Sequence, residues 1–191
     1  MYTTAYEKLQ ALHDKFKPAR FGKIAQKLLA LSFLAAGYRV VEREVQGVDI
    51  DAEGAGGRYA VEVKTTRRLT IHVDDANIGA LRDRAADNYS PSIAVLRVAP
   101  LCCEWLIAVV PIEELSVGNW PVDRFRAYRA SELEKSVNGR FALVVSEWFR
   151  RLLDEGTDDC LDQELKQRSA SKEGVPPGGI PLPRKVFSNT S

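Results

Sequence analysis

The sequence predicts a mixed α/β fold, an α+β arrangement in which helices flank a central mixed β-sheet. Two observations support this class. Segments whose apolar residues recur every three or four positions alternate with short runs rich in β-branched residues. The resulting order is two helices, three or four strands, a helix, two strands and a helix. Such an order is typical of one sheet covered by helices.

The chain begins with two predicted helices. Thr3 or Thr4 can cap the first of them, and Pro18 ends it. The second is expected over about residues 20–36. Gly37 follows it, as glycine often follows a helix end because it adopts positive φ without strain.

The period of the apolar residues then changes from helical to alternating. Gly54-Ala55-Gly56-Gly57 forms a turn between two of the predicted strands. Asp74 or Asp75 can cap the helix that follows them. The expected strands and helices after residue 37 are 38–45, 48–53, 58–65, a short 69–73, a helix to about 87, strands 92–98 and 104–110, and a helix 141–153.

Three segments are predicted along the chain. Residues 1–19 form an N-terminal helix, and residues 20–155 form the main domain. From residue 156 the composition shifts, and the run VPPGGIPLPRK cannot form a helix or a central strand. We therefore expect residues 156–191 to be a mostly disordered tail, which offers a linear site for a protein partner.

Composition excludes several classes of protein. The 27 basic residues against 26 acidic ones give a net charge of +1, so any nucleic-acid contact needs a local basic patch. The three cysteines include no CxxC pair, which excludes a disulfide scaffold and a cysteine zinc site and favours the cytoplasm. No apolar run approaches the roughly 20 residues that span a membrane, so we expect no membrane partner.

Charged residues inside predicted strands carry the chemistry. If Ala55 and Gly56 form a two-residue loop, the numbers of facing residues sum to 111, and Asp49 faces Glu62. Asp51 is expected to be solvated at the strand end. Side chains then divide between a polar face and an apolar face. The polar face carries Asp49, Asp51, Ala60, Glu62 and Lys64. The apolar face carries Val48, Ile50, Val61 and Val63.

Two carboxylates whose Cβ atoms start about 5 Å apart repel each other unless a cation lies between them. Mg²⁺ or Mn²⁺ suits such oxygen ligands, and the carbonyl of Val63 can add another oxygen. Lys64 has room beside the same ion. Further residues are candidates for contact with a phosphate backbone. They are Lys23 and Lys27 on the second helix, and Thr66, Arg67 and Arg68 after the third strand.

These residues resemble the PD-(D/E)XK nuclease superfamily. The pattern is Asp49, twelve intervening residues, and Glu62-Val63-Lys64. The stretch from residue 21 to 64 looks most like archaeal Holliday junction resolvases, and GVDID with EVKTT is similar to the nuclease-like domain of the plant NO VEIN protein. The resemblance covers about residues 20–110. It implies a restriction-endonuclease-like core and a homodimer that cuts DNA, with Asp49 and Glu62 as metal ligands and Lys64 as the catalytic lysine.

One position departs from the pattern. Family members often carry a glutamate in the first core helix, eleven residues before the glycine that ends it, and here that position is Gln26. The loss of charge weakens a second metal site. Two alternatives therefore stay open: a nuclease-fold module that binds DNA or a protein partner without cutting, and an unrelated α/β domain whose charged hairpin is simply exposed.

Overall fold

A computed structural model describes residues 4–42, 47–98 and 104–171 of the chain. Its helices are α1 (Ala5–Lys15), α2 (Pro18–Ala35), α3 (Asp75–Ala86), α4 (Ser131–Glu155) and α5 (Asp159–Ser171). Its strands are β1 (Arg39–Glu42), β2 (Ile50–Gly54), β3 (Gly57–Thr66), β4 (Thr70–Val73), β5 (Ser90–Arg97), β6 (Trp105–Val109) and β7 (Gly118–Pro121). Short 3₁₀ helices cover Ile112–Glu114 and Val122–Tyr128.

The main sheet has five strands in the order β1-β2-β3-β5-β6. Strands β1, β2 and β3 form an antiparallel meander, β5 lies parallel to β3, and β6 returns antiparallel to β5. The parallel pair needs a crossover, which α3 supplies. The predicted mixed sheet flanked by helices is therefore confirmed. Its order of helix, meander, helix and further strands agrees with the core that the resemblance implied.

The predicted hairpin register is confirmed. Gly54 pairs with Gly57 and Ile50 pairs with Val61, so each pair sums to 111 and Ala55-Gly56 is the two-residue loop. The predicted helix caps are also confirmed, since Thr4 caps α1 and Asp74 caps α3. The end of the first predicted strand, at residues 43–45, lies outside the described residues.

Apolar clusters cover both faces of the sheet. Helices α1, α2, α4 and α5 contribute most of one cluster, which contacts the sheet through Ile50 and Val61. The second cluster lies under α3, β4 and β7 and includes Ala60 and Ile93. The polar face predicted for the hairpin is therefore buried as well. None of the described helices is long and apolar enough to cross a membrane.

Two predictions for the hairpin were wrong, the face of Val48 and the solvent exposure of Asp51. Val48 packs in the second cluster with Ala60 rather than beside Ile50, because strand pairing starts only at Ile50 and the chain bends before it. Asp51 is 3% exposed rather than solvated, and it forms an ion pair with Arg84 of α3 at 2.9 Å. The covered second face gives this carboxylate a buried partner instead of water.

The helical boundaries near the C-terminus also differ from the prediction. Helix α4 begins at Ser131, ten residues before the expected start. The hydrophobic pattern did not indicate these first turns, because they carry few apolar residues. The segment from residue 156, predicted to be disordered, instead forms α5 over Asp159–Ser171. Cys160, Leu161 and Leu165 of α5 are buried in the main cluster. Residues 172–191, which include the Pro/Gly-rich run, lie outside the described part of the chain.

Helix α5 also removes one predicted nucleic-acid contact. Lys27 is only 7% exposed, and its ammonium forms ion pairs with Asp158 at 2.8 Å and with Asp162. Burial opposes its charge, yet the two aspartates hold the pKa of Lys27 above its ordinary value. The prediction that Lys27 binds nucleic acid is therefore wrong. Its role is to join α2 to α5.

Replacing Lys27 with methionine is expected to lower the free energy of unfolding by about 2–3 kcal/mol, because Asp162 loses its cation and Asp158 keeps only the contact to Arg20. Urea unfolding measures this change, and binding of labelled DNA should stay within a factor of about two. Lys135→Met, at an exposed position of α4 outside the nuclease-like site, is the matched control and should unfold like the parent. Equal stability of the two variants would contradict this role of Lys27.

Candidate active site

The structure brings four predicted residues together at the end of the β2–β3 pairing. Asp49 lies just before β2, where the chain has turned away from the β3 ladder. Its Oδ2 atom accepts a hydrogen bond from the backbone N–H of Val63 at 2.7 Å. The Asp49 carboxylate therefore accepts the hydrogen bond from Val63 that a neighbouring strand would otherwise accept. We call the group of Gln26, Asp49, Glu62, Lys64 and Asn77 the β3 site.

Gln26 joins this site from α2. Its Nε2 atom donates to the backbone carbonyl of Asp49 at 3.3 Å, and its Oε1 atom accepts from Lys23 Nζ at 3.5 Å. The amide therefore fixes the backbone that carries Asp49. Lys23 stays exposed at the rim of the site and weakens the rise in the Asp49 pKa through its positive charge.

Glu62 and Lys64 extend from the same face of β3 and contact each other. Lys64 Nζ lies 2.9 Å from Glu62 Oε1. Alternate residues of a strand share a face, so the E-x-K spacing produces this contact directly. Glu62 is 6% exposed, whereas Lys64 keeps partial access to solvent. The pair thus places an accessible ammonium over a buried carboxylate.

Asn77 is the residue of the site that sequence analysis missed. From the first turn of α3, its Nδ2 atom donates to Glu62 Oε1 at 2.7 Å, and its Oδ1 atom accepts from Lys64 Nζ at 2.8 Å. Its backbone N–H also donates to Asp74 Oδ1 within the helix cap. The sequence signal that could have identified Asn77 is its position as the third helical residue after the predicted cap Asp74.

The two carboxylates of the site destabilise each other's charge. Burial and the nearby charge of Asp49 raise the pKa of Glu62 to about 7, although Lys64 opposes the rise. Burial also raises the pKa of Asp49, against the Val63 N–H and the charges of Lys23 and Lys64. The positive charges of Lys23 and Lys64 therefore do not fully compensate the two carboxylates when both are ionised.

The oxygen atoms of the site fit a divalent cation. No described residue donates a hydrogen bond to Asp49 Oδ1 or Glu62 Oε2, so each carboxylate keeps one oxygen available. Within the described ranges, no group of three or more His, Cys, Asp or Glu side chains is arranged to hold a metal ion. Two carboxylates completed by carbonyl oxygens and water are what Mg²⁺ commonly uses.

The predicted phosphate contacts near the end of β3 differ in their surroundings. Thr66 Oγ1 donates to the Thr70 carbonyl at 3.2 Å and accepts from the Arg68 backbone N–H at 2.9 Å, so it shapes the loop. Arg67 contacts Asp14 at 3.3 Å and His13 at 2.8 Å. Arg68 is exposed, and its guanidinium has no partner among the described residues. Of these three residues, therefore, only Arg68 has a charged group that pairs with no described residue and is available to a phosphate.

The comparisons with known proteins are limited. No protein-family model matches the chain, and no curated protein sequence matches it significantly. Among solved structures, the chain is similar to Hjc, a Holliday junction resolvase from the archaeal hyperthermophile Archaeoglobus fulgidus. The similarity has a TM-score of 0.48 and 17% sequence identity, and it covers 60% of this chain and 95% of the other.

Proposed function

We propose that this chain is a metal-dependent endonuclease that hydrolyses DNA phosphodiester bonds at the β3 site. One observation carries the proposal. Asp49 is half-buried and Glu62 is buried, each carboxylate keeps an oxygen to which no described residue donates, and the partly accessible ammonium of Lys64 lies 2.9 Å from Glu62. Such a site attracts a divalent cation and keeps a positive charge beside it.

Each residue then has a defined task. Asp49, Glu62 and the carbonyl of Val63 are the proposed ligands of Mg²⁺ or Mn²⁺. When bound, such an ion neutralises phosphodiester charge and activates water. Lys64 stabilises the negative charge that develops on the phosphate during attack. Gln26 holds the Asp49 backbone, and Lys23 and Arg68 are the proposed contacts to the DNA backbone.

The direct test is cleavage of supercoiled plasmid and of a labelled four-way junction with Mg²⁺, Mn²⁺ or EDTA. The proposal expects nicks or cuts that require the metal, and the preferred substrate defines the geometry that is recognised. Sedimentation of the active species tests the homodimer, which two cuts on opposite strands would use. DNA binding without cleavage under every metal condition would overturn the proposal and favour the non-cutting module that Gln26 suggests.

Replacing Asn77 with alanine is expected to reduce both Mn²⁺ affinity and cleavage by about 10- to 100-fold, because Glu62 and Lys64 lose their shared positioning partner. Half of the α3 capping box survives, since the backbone N–H of residue 77 still donates to Asp74 Oδ1, while the hydrogen bond from the Asp74 backbone N–H to Asn77 Oδ1 is lost. Circular dichroism checks that the variant is folded. Mn²⁺ titration and initial cleavage rates give the two readouts. Asn119→Ala, which changes an exposed asparagine that contacts only His72, is the control. Unchanged metal affinity in Asn77→Ala would contradict this positioning role.

A further inference from the structure

A pocket of about 360 Å³ lies at the C-terminal end of β3, next to the β3 site. Its apolar wall includes Pro18, Phe21 and Val98, of which the last two are buried. Its polar lining includes Thr65 and Arg68. The pocket therefore combines an apolar surface with a cation and a hydroxyl group, which together suit a sugar joined to a phosphate.

The loop after β3 holds the pocket in one shape. Thr66 Oγ1 binds the loop backbone on two sides, and Arg67 is held by His13 and Asp14. In contrast, the side chains of Thr65 and Arg68 make no hydrogen bond or ion pair with any described residue. A phosphate can accept hydrogen bonds from both groups without breaking an internal contact.

The position of the pocket relates it to the β3 site. Thr65 lies two residues beyond Val63, whose N–H binds Asp49, and this separation is about 7 Å along a strand. Across from Thr65, Gly22 precedes Lys23, which contacts Gln26. The Thr65 side chain faces Gly22 of α2, on the side of β3 opposite Glu62 and Lys64, so the exposed Lys23 forms the rim between the site and the pocket. Nucleotides of a B-form strand advance about 3.4 Å each along the axis, so a strand that leaves the β3 site over this rim reaches the pocket within about two nucleotides.

We infer that this pocket binds the sugar–phosphate of a nucleotide one or two steps from the bond that is cut. Arg68 and the Thr65 hydroxyl donate to its phosphate, and the exposed ring of Pro18, which is backed by Phe21 and Val98, packs against its sugar. The inference rests on the proposed function, because it assigns the pocket to the same DNA strand. It makes Thr65 and Arg68 determinants of substrate position.

Binding measured without catalysis separates this inference from the proposed function. The probe is a fluorescein-labelled 12-nucleotide single-stranded DNA, followed by polarisation in EDTA. Arg68→Ala is expected to weaken binding about tenfold and to reduce the slope of log affinity against log salt by about 0.7. Thr65→Val is expected to weaken binding by about threefold to tenfold with the salt slope unchanged, since it removes no charge.

Gly22 offers a way to fill the pocket. A Cβ atom there would lie 3.6 Å from Thr65 Oγ1, which is ordinary contact, so Gly22→Ala should fold well and bind DNA normally. Gly22→Leu extends a larger side chain toward Thr65 and should weaken binding at least as much as Arg68→Ala. Arg140→Ala, a half-buried arginine of α4 that does not line this pocket, is the charge control and should bind as the parent does. Circular dichroism confirms folding of each variant.

The outcomes distinguish the two proposals. If the parent cuts no DNA but Arg68→Ala and Thr65→Val still weaken binding in these ways, the proposed function fails and the pocket assignment stands. If the parent cuts DNA and these two variants bind like Arg140→Ala, the pocket assignment is overturned and the proposed function stands. Absence of DNA binding by the folded parent would overturn the assignment as well.

Discussion

Replacing Lys64 with methionine is expected to lower the rate of metal-dependent DNA cleavage by about 10²- to 10³-fold. The reason is that the variant loses the one ammonium in contact with Glu62, and with it the stabilisation of charge that develops on the phosphate. Single-turnover cleavage of a labelled DNA substrate in saturating Mg²⁺ measures the chemical step. Methionine keeps the apolar part of the lysine side chain but loses the hydrogen bond that Lys64 Nζ donates to Asn77 Oδ1.

This variant should keep its metal binding although it loses most of its cleavage activity. Without Lys64, the negative charge of Glu62 is less neutralised, so Mn²⁺ affinity should stay equal or rise. Lys135→Met, an exposed change on α4, is the matched control and should cut at the parental rate. Parental cleavage by Lys64→Met would remove this lysine from the chemistry.

The second large effect concerns stability and pH in the absence of metal. Burial and the charge of Asp49 raise the pKa of Glu62 from its ordinary 4.5 to about 7. Between these values the folded protein keeps a proton that the unfolded chain releases, so the free energy of unfolding falls as pH rises. The loss is on the order of 2–3 kcal/mol by pH 7.

Glu62→Gln should remove this pH dependence, because the amide cannot ionise. Urea unfolding in EDTA from pH 4.5 to 8 compares the variant with the parent, and Glu113→Gln, an exposed carboxylate, is the control. The charged groups that face Glu62 are Asp49, Lys64 and Asp74, and the variant substitutes none of them. Stability curves that stay parallel for the parent and Glu62→Gln would show that Glu62 ionises normally.

The sequence was most informative where local chemistry alone determines structure. A two-residue turn fixes the hairpin register, and the register places Glu62 and Lys64 on one face. The distance from Gly37 identified Gln26 as the helix residue nearest the site, and the structure joins it to the Asp49 backbone. The register and the shared face depended only on a turn rule and a periodicity. The position of Gln26 was instead implied by the resemblance to the PD-(D/E)XK nuclease superfamily.

Tertiary contacts explain the predictions that failed. Lys27 looked like any exposed helical lysine, because nothing local indicated that Asp158, just before α5, and Asp162 within α5 would pair with it. Asp51 looked solvated because nothing local indicated that Arg84 would cover it. Asn77 was missed altogether, because its contacts to Glu62 and Lys64 depend on how α3 crosses the sheet.

Binding of Mn²⁺ tests the central claim, that Asp49 and Glu62 share a divalent cation, most directly. Electron paramagnetic resonance reports free Mn²⁺ as the protein is titrated in the absence of DNA. The account predicts saturable binding by the parent that Asp49→Asn weakens by at least about tenfold, with Glu113→Gln unchanged. Equal Mn²⁺ binding by Asp49→Asn and the parent, or no binding by either, would contradict the claim.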